Sequence, residues 1–526
     1  MNSPAGRRRA GLLIPLFCCP SSTSWGIGDI GDIAPVTAWL AAAGQRVLQL
    51  LPLNEMAPGQ QSPYSAISAM AIDPIFIRLP DVPEFVAAGG ESSLSHGDRA
   101  TLESVRRATR VDYAAVRRLK RGALRAVFER FSETEWARQT DRARTFRRFL
   151  SEQAWWVEDY ALFRAIHTRE NERPWTEWPE ELQRREPPAI NRARRDLAHE
   201  VLFHQFLQWL ADTQWREARV KTGGVALYGD LPFIVDTDSA DVWARQHNFM
   251  LDASLGVPPD AFSATGQDWG MPVYRWDRMA AEDFLWLRER AQRGADLFDG
   301  CRVDHLVGFY RTYGRPRDGG APFFTPADEP AQTALGERIL GIFRDAGSEI
   351  IAEDLGTVPD FVRASLTRLG VPGFRVFRWE RHWHLEGQPF RDPTAYPACS
   401  VATSGTHDTE PMMVWWARAS EDEKRKVDAV PLVQQLTGGA GLKLATDQSR
   451  VRDVLLEVLF ASGSSLTLLP VQDLFGWRDR INEPATVTDD NWTFRLKWPS
   501  DRLADVPEAC ERQETLRRWA AAYGRL

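Results

Sequence analysis

Short apolar runs rich in β-formers recur along the chain at Leu12 to Phe17, Val47 to Leu53, Val225 to Val235, Leu297 to Asp304, Glu349 to Asp354, Gly373 to Trp379, Ser400 to Gly405 and Ser465 to Val471. Runs of this length, bounded by polar and turn residues, read as buried strands. Most are separated by stretches long enough for a crossover helix, the alternation expected of parallel strands joined by βαβ units. Eight such strands close naturally into an α/β TIM barrel, (β/α)8, and this is the fold class predicted for residues 1–526 as one unit.

The gap between the second and third runs is far longer than one crossover needs. From Asp98 to about Lys221 the pattern turns helical, at Val116 to Leu119, Leu124 to Phe131, Phe146 to Phe163 and Leu202 to Trp215, which predicts a helical subdomain inserted at 98–221. Its charge-rich stretches, such as Arg142 to Arg148, read as solvated helix faces rather than a polyanion site. A second irregular stretch, Gly256 to Trp276, is rich in Gly, Pro and Trp and reads as a long functional loop. No internal repeat or low-complexity tract interrupts the chain.

Composition narrows the function classes. Hydrophobic residues make up 43% of the 526 and charged residues 26%, an ordinary globular mixture with enough apolar surface for a sizeable core. The formal charge of −7 gives no whole-chain reason to approach nucleic acid or a membrane surface, and fits a neutral substrate better. Five cysteines, an odd number with Cys18 and Cys19 adjacent, make no metal-ligand spacing and read as reduced thiols of a cytoplasmic protein. Arg7 to Arg9 before Gly11 to Phe17 resemble a short leader, but Pro15 and Pro20 interrupt the run and a first buried strand is the preferred reading. No run approaches the ~18 apolar residues of a membrane span.

In a barrel of this kind the loops after the strands converge on one mouth, where catalytic groups gather. Three of the predicted strands end in acidic motifs: the fourth in Arg302-Val303-Asp304-His305, the fifth in Ala352-Glu353-Asp354-Leu355-Gly356, the seventh in Gly405-Thr406-His407-Asp408. Glycoside chemistry needs such a set, because an oxocarbenium-like transition state requires a carboxylate at the anomeric carbon and a protonated carboxyl at the leaving oxygen. Arg302 and Asp304, two apart on a strand, point to the same face, so the guanidinium can pair with a nucleophilic carboxylate. Glu353 must instead keep a proton near neutral pH, which negative charge on Asp304 or Asp408 would favour. Each motif alone has a structural reading as an ion pair, a helix cap or a turn. A metal-dependent hydrolase using Asp304, His305, His407 and Asp408 as ligands competes, but the Arg beside Asp304 would repel a cation.

With Ser24 to Asp29, Ser62-Pro63-Tyr64, Val111-Asp112-Tyr113, Tyr228 to Pro232, Asp238 to Trp243, Val257 to Asp260 and Thr265 to Gly270, these motifs make nearly the whole chain resemble the 4-α-glucanotransferase family of amylomaltase and disproportionating enzyme. The resemblance implies a retaining transferase that moves α-1,4-glucan segments between maltooligosaccharide donors and acceptors, glucose included. Asp304 would be the nucleophile, Glu353 the general acid/base and Asp408 the transition-state stabiliser. Tyr64, Asp230, Arg302, His305 and His407 would line the substrate site, with Tyr64 as the wall of the donor sugar's site, and Trp269 would lie over the glucan near the acceptor. The resemblance further implies no metal or other cofactor and no separate C-terminal β-domain, for which the residues after Val471 are too few. Of the 21 Trp and 26 Phe most must be core, with Trp269, and after it Phe262 and Trp276, the candidates for sugar contact. Val307 and Thr409 depart from the family's usual Arg and Asn, and Asp73 from its Asn. The rival functions are an α-amylase-type glucan hydrolase using the same acids with water, and a non-catalytic glucan-binding protein. The latter predicts loss of at least one of the three acids, and all are present.

Overall fold

The computed structural model describes residues 8–259, 266–442, 447–484, 486 and 488–526. Eight parallel strands close into a barrel: β1 (Arg9–Leu13), β2 (Val47–Gln49), β3 (Ala226–Leu231), β4 (Gly300–Val303), β5 (Glu349–Ala352), β6 (Gly373–Val376), β7 (Ser400–Thr403) and β8 (Leu466–Pro470). Each strand pairs with its neighbours in sequence, and β8 returns to pair with β1. Every apolar run therefore supplies one barrel strand. The first strand starts three residues before its run, at Arg9, because the guanidinium is neutralised inside the barrel by Glu349 of β5 and lies 5.9 Å from the Tyr228 ring centroid. A charged residue with a partner is invisible to an apolar pattern.

The barrel interior is layered. Val47, Tyr228, Ile351, Phe374, Val401, Leu466 and Leu468 form an apolar cluster of their own, separate from the larger core beneath the helices. Gly300 leaves room for the Tyr228 ring, since a Cβ there would sit 2.9 Å from the ring and 2.8 Å from the Glu349 carbonyl oxygen. Two residues further along the strands, the inward positions become polar: Gln49, Asp230, Arg302 and Thr403. Period-two alternation thus stacks a polar floor on an apolar plug, at the ends of the strands that open to the loops.

Between β2 and β3 the chain carries the helices Pro83–Ala87, His96–Arg107, Tyr113–Phe131, Asp141–Glu152, Ala154–Arg169, Pro187–Asp196 and Ala198–Val220, among others. They pack through aromatic contacts, with Phe131 touching Phe146, Phe206 and Trp209. Of the arginines of Asp141–Glu152, Arg144, Arg147 and Arg148 are exposed, Arg147 over the Trp136 ring, whereas Arg142 is half-buried, paired to Glu84 and lying over the Trp209 ring. Ala253–Val257 pairs with Gln267–Asp268 and with Thr312–Pro316 in a small antiparallel sheet beside the mouth. Trp276, a candidate for sugar contact, is instead buried at the start of Trp276–Ala281, its indole N–H donating to Thr312 Oγ1 at 3.0 Å. Phe262 lies outside the described residues. Among those residues no helix is long and apolar enough to cross a membrane, and those after β8 form helices and loops with no further strand.

At the far end of the barrel, the seam between β1 and β8 is covered by the chain's C-terminus. Arg525, fully buried, donates to the carbonyls of Phe460, Ser462, Ser464 and Arg9 at 2.7, 3.2, 2.9 and 3.1 Å. Charge-assisted bonds of this kind contribute roughly 1.5–3 kcal/mol each, and their loss strands buried acceptors. Arg525→Ala should therefore lower the unfolding free energy by about 3 kcal/mol or more, read as a lower urea midpoint at unchanged slope. A loss under about 1 kcal/mol would mean that the seam holds without it.

Candidate active site

Parallel register places Asp230 of β3 directly beside Arg302 of β4. Both point up from the barrel floor, and Arg302 Nη1 donates to both oxygens of Asp230 at 2.8 Å while Nη2 reaches Asp304 Oδ1 at 2.9 Å. The Tyr64 hydroxyl completes the cluster, donating to Asp230 Oδ2 at 2.9 Å and lying 3.4 Å from Arg302 Nη1. Burial disfavours the Arg302 cation, but Asp230, Tyr64, Asp304 and Glu353 together outweigh it and keep the guanidinium charged. Burial likewise pushes the Asp230 carboxyl up, with Arg302 as the chief opposing charge.

Asp304 begins the loop after β4, anchored by its amide to the Leu231 carbonyl at 3.0 Å. His305 then turns into the left-handed region at φ 44°, a conformation that bulky residues adopt only when held there. That turn aims its amide at Glu353 Oε2, 3.0 Å away, and the Leu355 amide reaches Oε1 at 3.3 Å. The Glu353 carboxyl is pushed up to about 7, first by burial; Arg302 opposes this, and Asp304 and Asp354 add to it. Burial thus outweighs the carboxylate repulsion expected from the sequence, and the second repelling neighbour is Asp354. The His305 imidazole is pushed down to about 4 by burial against the pull of Asp304, and so is neutral near pH 7.

Asp408 lies five residues beyond β7, on a turn closed by Thr409 Oγ1, which accepts from the Thr406 amide at 3.0 Å. Its carboxylate accepts from Asn482 Nδ2 at 2.6 Å and lies 3.1 Å from His407 Nε2; its carbonyl accepts from Arg480 at 2.8 Å. Burial raises this carboxyl, but His407, Asn482 and Arg302 prevail and bring it down to about 2. Tyr64 stacks on His407 at 5.4 Å between centroids, and Trp492 leans on both at 5.8 and 5.7 Å, making an aromatic wall. Across the mouth, Trp269 meets His305 edge to face at 4.8 Å, its own amide tied to the Leu255 carbonyl at 2.8 Å.

All nine predicted site residues, Tyr64, Asp230, Trp269, Arg302, Asp304, His305, Glu353, His407 and Asp408, therefore fall in one connected network. Sequence reasoning missed Arg480, Asn482 and Trp492, which lie on an aperiodic segment after β8; that β8 adjoins β7 in a barrel is the only signal that could have pointed to them. Other motifs are structural. Asp354 accepts from the Phe374 amide at 2.7 Å and pairs with Arg363 at 3.0 Å, Asp241 accepts from Ala69 and Trp286, and Asp73 pairs with Arg117 at 2.9 Å. Among the described residues no group of three His, Cys, Asp or Glu side chains is placed to hold a metal ion.

Residues 14–501 match the family model described as 4-alpha-glucanotransferase. The chain belongs to that family. It is 33% identical over 528 residues to the 4-alpha-glucanotransferase of Thermus thermophilus, covering 96% of this chain and 99% of the relative. It is 31% identical over 508 residues to the 4-alpha-glucanotransferase of Chlamydia pneumoniae, covering 94% and 92%. The fold superposes on the amylomaltase from Streptococcus agalactiae in complex with acarbose with a TM-score of 0.82 and 27% identity, covering 99% of this chain and 100% of that one. The protein is a 4-alpha-glucanotransferase, an enzyme of the amylomaltase type that acts on α-glucans. Asn482 grips Asp408 inside the network. Asn482→Ala should lower kcat/KM for maltotriose by about 10- to 100-fold, the worth of one charge-assisted bond to a carboxylate, with the urea midpoint essentially unchanged. Wild-type kinetics in this variant would exclude a role for the contact.

Proposed function

We propose that transfer proceeds with retention, by two displacements at one anomeric carbon. An Asp304 oxygen attacks C1 as the C1–O4 bond breaks, and the Glu353 proton passes to the departing O4, leaving a glucosyl ester on Asp304. The 4-hydroxyl of an acceptor, a maltooligosaccharide or glucose, then attacks C1. Its proton goes to Glu353 and the Asp304 carboxylate is released. Asp408 faces the positive charge that develops at the ring, His305 and His407 bind sugar hydroxyls, and Tyr64 walls the donor sugar.

The observation that carries this reading is the split among the carboxyls. Glu353 sits at about 7, able to hold a proton at neutral pH, while Asp408 sits at about 2 and Asp304 is ion-paired to a buried guanidinium. One acid and two anions are the charge states that a retaining mechanism requires. A reducing cytoplasmic setting is supported by the five cysteines, all free thiols.

The acid role sets a pH limb. Because the protonated form of Glu353 is the active one for bond cleavage, kcat/KM on maltooligosaccharides should fall as pH rises through about 7. Glu353→Gln should reduce turnover of maltotriose by at least about 10³-fold yet still release a burst of fluoride from an α-maltosyl fluoride, whose leaving group needs little protonation, with no decline through that pH range. Loss of the burst together with turnover would remove Glu353 from the acid role.

Acceptor choice decides between transfer and hydrolysis. Trp269 offers an apolar plate beside His305, and an incoming sugar held there displaces water from the ester. Maltotriose alone should become a ladder of shorter and longer oligomers including glucose, with reducing ends almost constant because each cleavage is matched by a new bond. Trp269→Ala should raise the hydrolytic fraction several-fold. An unchanged fraction in that variant would relocate acceptor control to another residue.

A further inference from the structure

Beside the catalytic mouth, the loop after β1 and the segment after β8 face the end of His96–Arg107 across a pocket of about 740 Å³. None of the nine network residues lines it. Its walls carry Arg106, Arg107, Arg110, Arg495 and Lys497 against one carboxylate, Asp479, in a chain whose net charge is −7. Three of the five cations are answered nearby: Arg106 by Glu91, Arg107 by Glu103 and Arg110 by Asp490. The other two have no carboxylate within ion-pair distance among the described residues. Arg495 donates to the carbonyls of Val105 and Arg106 at 2.8 and 3.2 Å, and the Lys497 ammonium lies 4.9 Å from the centroid of the Trp477 ring. Burial pushes the Arg495 guanidinium below its usual value, the direction that an anion would reverse.

We propose that this pocket binds a phosphate monoester carried on a sugar-sized group. Two cations without carboxylate partners favour a compact dianion, which accepts charge-assisted bonds from both. The volume lies within the about 300–1,000 Å³ of small-molecule sites, well beyond what a phosphate alone needs, and the remaining wall offers the Trp498 ring as an apolar face for a sugar. A neutral glucan gains nothing from the cations, and the catalytic mouth, lined by carboxylates, repels a dianion, so the two ligands sort between the two sites. The segment after β8 serves both: Asp479, Phe494, Arg495 and Lys497 line the pocket, while Arg480 and Asn482 hold Asp408 and Trp492 walls the mouth.

The test is calorimetric titration of the full-length protein with glucose 1-phosphate, inorganic phosphate and glucose at low ionic strength. Glucose 1-phosphate should bind saturably and more tightly than phosphate, with affinity falling as salt rises. Lys497 is exposed, and Lys497→Glu should weaken glucose 1-phosphate at least about tenfold without altering the response to glucose. Arg495→Gln, which keeps a donor towards the helix carbonyls, should weaken it as well. No heat from glucose 1-phosphate, or binding that both variants leave unchanged, would overturn the site. Equal affinity for phosphate and glucose 1-phosphate would overturn the sugar-sized part of the ligand.

Discussion

Arg302 donates to Asp230 and Asp304 at once from a position only 3% exposed, and the rest of the mouth is arranged around that cation. A buried guanidinium is tolerable only when its charge is answered. The answer comes from register: β3 sets Asp230 beside Arg302, so the compensating charge arrives on a neighbouring strand, with no loop to order. Asp304 and the Tyr64 hydroxyl add partners to the two terminal nitrogens, while Nε is buried without a hydrogen-bond partner among the described residues. The apolar plug beneath, with Tyr228 filling the space that Gly300 leaves, excludes water from below. The ion pair is therefore strong and rigid along the strand, the direction in which Asp304 is aimed.

The same low-dielectric floor drives Glu353 the other way. Burial is the largest influence on all three of Glu353, Asp408 and Asp230, and it raises each; the outcome differs because the partners differ. Asp408 has a His, an Asn and the reach of Arg302, and settles at about 2. Glu353 has Arg302 and backbone amides at 3.0 and 3.3 Å, but also two carboxylates nearby, and settles at about 7. The different charge states thus follow from side-chain company.

Much of this was legible in the sequence, and the exceptions have physical causes. All eight strands announce themselves because parallel barrel strands are buried on both faces and read as continuous apolar runs. Arg302, Asp304 and Glu353 were legible because a strand end has a fixed place in the barrel, and Asp408, five residues beyond β7, because its motif follows that strand directly. Trp276 was misplaced because composition cannot tell an indole over a sugar from one packed on Tyr274 and Phe309. Arg9 hid its strand's start because a paired charge breaks an apolar pattern. Asn482 and Trp492 lie 74 and 84 residues beyond Asp408 on a segment without period, and only the closed geometry brings them back to it.

That last contact divides the three carboxyls by how they are held. Asp304 and Glu353 follow their strands immediately, their amides bonded to the Leu231 and Val303 carbonyls at 3.0 Å, so the sheet itself fixes their backbone. Asp408 stands five residues beyond β7, and what fixes it is a turn plus two side chains of the segment after β8. Asp304 and Glu353 therefore have little freedom to move short of barrel distortion, whereas the placement of Asp408 depends on side chains of another segment. In the two-step transfer proposed above, bonds form and break on the first pair, so their positions must hold. In that proposal the third meets charge only in the transition state, so it is the point at which a change in the segment after β8 could alter rate without altering the chemistry.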